Sequence, residues 1–90
     1  MKKIIWIAKV ADDNSDAYRA YYGMESARDQ AVDYFDHLTA GERRTHTVSI
    51  ESYSVEVPDD DDRSAEALVR DLLLEDSEKL LNPDTYEEIR

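Results

Sequence analysis

The chain has 90 residues, 41% of them hydrophobic and 37% charged, with 22 acidic residues against 11 basic ones and no cysteine. That length fits one small domain, 1–90, and the hydrophobic share is too high for a disordered chain. The formal net charge of −11 at pH 7 works against DNA, RNA and anionic membranes and favours cationic partners, while the lack of cysteine excludes disulfides, thiolate metal sites and thiol catalysis.

Residues 2–11, "KKIIWIAKVA", read as a strand rich in β-branched and aromatic residues. Ile4, Trp6, Ala8 and Val10 share one face, and Ile5 and Ile7 the other. A strand apolar on both faces is covered twice. The preceding lysines mimic the start of a signal peptide, but the apolar run stops at "ADDNSD" with no cleavage site after it. No stretch is long enough to span a bilayer, so a cytoplasmic protein is expected. "DDNSD" reads as a turn, because Asp, Asn and Ser bond back to nearby backbone. "AYRAYYG" then completes a hairpin.

From "MESARDQAVDYFDHLTAG" the period becomes helical, with Ala27, Ala31, Phe35 and Leu38 on one side. Ser26 is the expected N-cap, and Gly41 lies past the end. Trp6 is expected beneath this helix near Phe35 and Leu38. "RTHTVSIESYSVEV" returns to alternation, but its parity shifts. Val48 and Ile50 are even; Tyr53, Val55 and Val57 are odd. A β-bulge at Glu51 and Ser52 would restore a single buried face. Pro58 ends the 1–58 core, and residues 59–63 form an acidic turn in which one aspartate caps the next helix. The 64–90 segment reads as helical: "SAEALVRDLLL" carries Ala65, Leu68, Val69, Leu72 and Leu73 on one side. Asn82 and Pro83 open a last short turn of helix.

The order is ββαβα. The fold class is α+β, a three-stranded, mainly antiparallel sheet with one helix on a face and the C-terminal helix on the other face or an edge. The hairpin, the helix start "SARDQA" and the strand ending in acidic residues resemble small acidic ββαβ proteins of phages and integrative elements, over about the first two-thirds of the chain. The resemblance implies an inhibitor of host defence, of the anti-CRISPR or anti-restriction type.

The candidate chemistries differ in what supports them. Asp12, Asn14 and Asp16 alternate as in a calcium loop, but Ala17 and Gly23 stand where that loop needs Gly and a bidentate Glu. No metal or cofactor is expected. His37 follows Asp33 by four residues, a helix-surface pair. With no nucleophile elbow or phosphate loop beside it, no catalytic residue is assigned. Lys2, Lys3, Lys9, Arg43 and Arg44 with Tyr18, Tyr21 and Tyr22 offer a nucleic-acid reading, but the net charge opposes direct binding. The acidic clusters favour another partner, a basic protein surface that itself binds nucleic acid. Glu25, Asp29, Asp33 and Asp36 form a stripe with about 6 Å of rise between residues four apart, and Asp59, Asp60, Asp61 and Asp62 form a second cluster. These eight are the expected partner-binding residues. The alternative is a self-associating accessory protein of a mobile element, a homodimer formed through Ile5, Ile7 and the second helix.

Overall fold

A computed structural model describes residues 1–90. The elements run β1 (Lys2–Ala11), β2 (Asp16–Tyr21), α1 (Met24–His37), α2 (Glu42–Thr45), β3 (Thr47–Glu56), α3 (Ala65–Glu75), a 3-10 turn (Ser77–Leu80) and β4 (Thr85–Ile89). The architecture is α+β, with one antiparallel sheet in the order β2-β1-β3-β4. α1 packs on one face and α3 on the other. No helix is long and apolar enough to cross a membrane.

The hairpin turn forms as its residues dictate. The Asp12 carboxylate accepts from the backbone N–H groups of Asn14 and Ser15 at 2.9 and 2.8 Å, an Asx turn. α1 begins earlier than expected. Gly23 is its N-cap, no side chain bonds there, and Ser26 lies inside the first turn. At the far end the Phe35 carbonyl accepts from the Leu38 N–H at 3.2 Å and also from the Arg43 guanidinium, which stacks 4.2 Å from the Phe35 ring centroid and suits the helix dipole. Thr39 and Glu42 then exchange reciprocal hydrogen bonds at 3.0 and 3.1 Å, the pairing that a Thr-x-x-Glu sequence allows, and they set up the single turn of α2.

β3 holds no bulge. Its pairing with β1 is unbroken from Lys2 opposite Glu56 to Ala11 opposite Thr47. The parity shift instead records two cores on opposite faces. Val48 and Ile50 pack with Ala8 under Ala27 and Ala31 of α1, flanked by Trp6 and Phe35. Tyr53, Val55 and Val57 pack with Ile5 and Ile7 under Ala65, Leu68 and Val69 of α3. Successive side chains of a strand face opposite ways, so each helix claims its own half of β3. Trp6 lies on the α1 face as expected, but it is only half-buried.

The predicted last helical turn is a strand, and the sheet has four strands rather than three. Asn82 and Pro83 lie in the link between the 3-10 turn and the next strand instead of opening a helix, and Thr85, Tyr86 and Ile89 suit a strand. β4 supplies partners to the outer edge of β3, starting with Asp84 N–H to the Ser52 carbonyl at 2.8 Å. Segment 64–90 is therefore helical only as far as Leu80, and the 1–58 core gains its fourth strand from it. Ser64, not an aspartate, caps α3, its hydroxyl accepting from Ala67 N–H at 3.2 Å. Ile5 and Ile7, the proposed self-association surface, are covered by α3.

Candidate functional site

α1 buries Ala27 and Ala31, so the residues facing away from them are carried into solvent. Glu25, Asp29, Asp33 and Asp36 are all exposed there. Of the four, only Asp33 lies within ion-pair distance of a basic side chain, His37. His37 Nδ1 lies 2.7 Å from the Asp33 carbonyl oxygen and 3.5 Å from its carboxylate, and the carbonyl first, then the charge, raises the His37 pKa. Arg28, the one arginine of α1, turns away from the stripe and grips the Glu87 carboxylate of β4 through two bonds of 2.8 and 3.0 Å. A two-pronged guanidinium–carboxylate bond holds its geometry well. The stripe therefore keeps most of its charge unneutralised on a rigid frame.

The four aspartates do not act alike. Asp59 is exposed and sits 3.0 Å from the N-terminal ammonium. Asp60 and Asp62 are exposed. Asp61 turns inward, and its side chain is only 4% exposed. Its carboxylate accepts from the Arg63 backbone N–H at 2.9 Å and from the Arg63 guanidinium, with the Lys3 ammonium 3.9 Å away. Arg63 in turn reaches Asp71 of α3 at 3.0 Å. The bonds from Arg63 hold the Asp61 carboxyl down at about 2. One aspartate thus locks the turn onto α3, and three face outward. The Tyr22 hydroxyl, just before α1, donates to the Arg63 carbonyl at 2.6 Å. This bond ties the acidic turn to the end of α1 where the stripe begins.

Because the Asp61 pKa is depressed in the fold, its contribution to stability is present above the ordinary carboxylate value, near 4, and is lost as the pH falls towards 2. Asp61→Asn should therefore lower the melting temperature at pH 7 and narrow the gap from wild type between pH 4 and pH 2. Parallel thermal melts across that range measure it, and a gap that stays constant would remove Asp61 as a titrating lock.

A further acidic group, Glu75, Asp76 and Glu78, lies elsewhere, at the end of α3. There Asp76 meets Lys79 at 3.6 Å, while Glu75 and Glu78 are exposed.

On the sheet face opposite α1, α3 reaches only part of the way across. A cleft of about 300 Å³ opens beside it, with Lys9, Asp16, Tyr18, Glu51, Leu73 and Leu80 in its lining. Glu51 is 8% exposed. Its Oε2 accepts from the Tyr53 hydroxyl at 2.5 Å, and burial, then that bond, pushes the Tyr53 phenol well above its ordinary pKa. The other oxygen, Oε1, accepts no hydrogen bond from the chain. Its nearest cation is the Lys9 ammonium at 3.8 Å, beyond hydrogen-bond reach. The sequence held a signal for this site. Glu51 shares the parity of Tyr53, Val55 and Val57, which places it on their face once no bulge intervenes.

The chain matches no family model, no curated protein and no solved structure.

Proposed function

We propose that the protein is a non-catalytic acidic interaction domain that occupies a basic, nucleic-acid-binding surface of another protein, in the manner of a nucleic-acid mimic with an anti-defence role. The observation that carries this reading is the α1 stripe, where Glu25, Asp29 and Asp36 are exposed and form no ion pair within the chain, while Arg28 of the same helix pairs with Glu87 instead. Helical spacing fixes the carboxylates about 5–6 Å apart along the axis, an interval at which they can replace phosphates in a basic groove. The outward Asp59, Asp60 and Asp62 extend the acidic surface at the end where the stripe starts. Self-association is the weaker reading, because Ile5 and Ile7 are covered.

The test begins with capture of partners from a lysate and continues with surface plasmon resonance at low and physiological salt. Asp29→Lys with Asp33→Lys should weaken binding about 100-fold or more, since juxtaposed like charges cost several kcal/mol, while circular dichroism stays native. Affinity should fall with salt, and single-stranded or duplex nucleic acid should compete for the partner. A double variant that binds as wild type does, or binding indifferent to salt and nucleic acid, rejects mimicry.

A further inference from the structure

The cleft beside α3 combines three properties that point to one kind of occupant. Its floor holds Glu51, whose Oε1 accepts no hydrogen bond from the chain, keeps some access to solvent and faces the Lys9 ammonium at 3.8 Å. Its lining carries two carboxylates, Glu51 and Asp16, against the single ammonium of Lys9. Its sides are the ring of Tyr18 and the apolar chains of Leu73 and Leu80. A cation with an apolar stem satisfies all three. Leu74 and Leu81, the chain neighbours of the lining residues Leu73 and Leu80, stand 80% and 67% exposed. Two large apolar side chains on the segments that line an acidic cleft give a protein partner more to cover than a small molecule would.

We propose that this cleft seats one arginine side chain of the basic partner, with Leu74 and Leu81 receiving apolar residues that flank it. The inference rests on the acidic-docking reading and adds to it the anchoring pocket and its preferred residue. Arginine fits better than lysine for two reasons. Its planar guanidinium can donate to Glu51 Oε1 and reach a second acceptor at once, and it can lie against the Tyr18 ring. The aliphatic stem then covers Leu73 and Leu80. Arginine seated in a desolvated pocket is also the residue type that most often dominates an interface.

The probe is an acetylated, amidated tripeptide, leucine–arginine–leucine, with a citrulline counterpart that keeps the shape and removes the charge. Amide chemical shifts in the whole protein report where each binds. The arginine peptide should move the amides of Lys9, Tyr18, Glu51 and Leu80, and the citrulline peptide should bind about tenfold more weakly, the loss of a charge-assisted bond. Glu51→Gln keeps an acceptor for the Tyr53 hydroxyl and should also weaken the arginine peptide about tenfold. Asp29→Lys with Asp33→Lys should leave the tripeptide shifts in place. Shifts confined to α1, equal binding of the two peptides, or binding untouched by Glu51→Gln overturns the cleft assignment. The peptide comparison on the wild-type protein decides this even if Glu51→Gln folds poorly. If the tripeptide occupies the cleft while the α1 double variant still binds the captured partner, the mimicry reading falls and the pocket stands. If the α1 variant fails to bind the partner and no shifts appear at the cleft, the pocket falls alone.

Discussion

Leu68→Ala should destabilise the protein by about 3 kcal/mol and lower its melting temperature by more than about 10 °C. Leu68 is 0% exposed and sits mid-way along α3 against Ile5, Tyr53 and Val55. The truncation removes transfer free energy and leaves a cavity that the rigid β1–β3 pair cannot close. α3 has 11 residues, too few to be helical alone in water, so its structure depends on that contact. A chain this long has roughly 5–13 kcal/mol of total stability, and the loss is a large part of it. Urea denaturation followed by circular dichroism gives the number. A loss under about 1 kcal/mol would mean that α3 does not depend on Leu68 to seal the sheet.

The opposite face should fail by the opposite route. Ala8, Ala27 and Ala31 are each 0% exposed where α1 crosses the sheet, so helix and strands approach closely with only methyl groups between them. Ala31→Leu inserts a branched side chain where there is no room, and it should cost about 2–3 kcal/mol through off-rotamer packing and displacement of the helix. Val32, the next residue, is 42% exposed. Val32→Leu should therefore change stability by less than about 0.5 kcal/mol, although leucine is the better helix former. Equal effects at the two positions would show that α1 is not seated on its alanines.

The parts that were legible in the sequence are those set by local pattern. α1 and α3 announce themselves through apolar spacing, and the hairpin through the Asx chemistry of Asp12. The carboxylate stripe was equally plain, because a helix that buries Ala27 and Ala31 must expose Glu25, Asp29, Asp33 and Asp36. What escaped depends on partners distant in the chain. The "TYEEI" of β4 is short and has two glutamates among its five residues, and it becomes a strand because β3 presents an open edge to it. The supposed bulge came from assuming that β3 has one buried face. Its two parities are each satisfied by a different helix. Asp61 cannot be told from its three identical neighbours by composition. It is singled out by Arg63 and by Lys3, which lies 58 residues away in the chain yet donates to the Asp61 carbonyl at 2.9 Å.

The open outer margin of β4 bears on how these molecules behave at high concentration. An unpaired strand edge is a template on which another chain can stack, and from which fibrils grow. Glu87 and Glu88 occupy both sides of that margin, opposite Ile50 and Ser49 of β3. If a second molecule laid its own β4 alongside, antiparallel and centred, Glu87 would meet Glu87 with an Arg28 guanidinium on each, and charged side chains on an edge strand oppose its pairing with another chain. Arg28 pairs with Glu87 at 2.8 Å and Arg90 with Glu88 at 2.9 Å, so neither carboxylate readily swings clear. Ion-paired charged side chains along β4 therefore guard the sheet against runaway polymerisation at its edge.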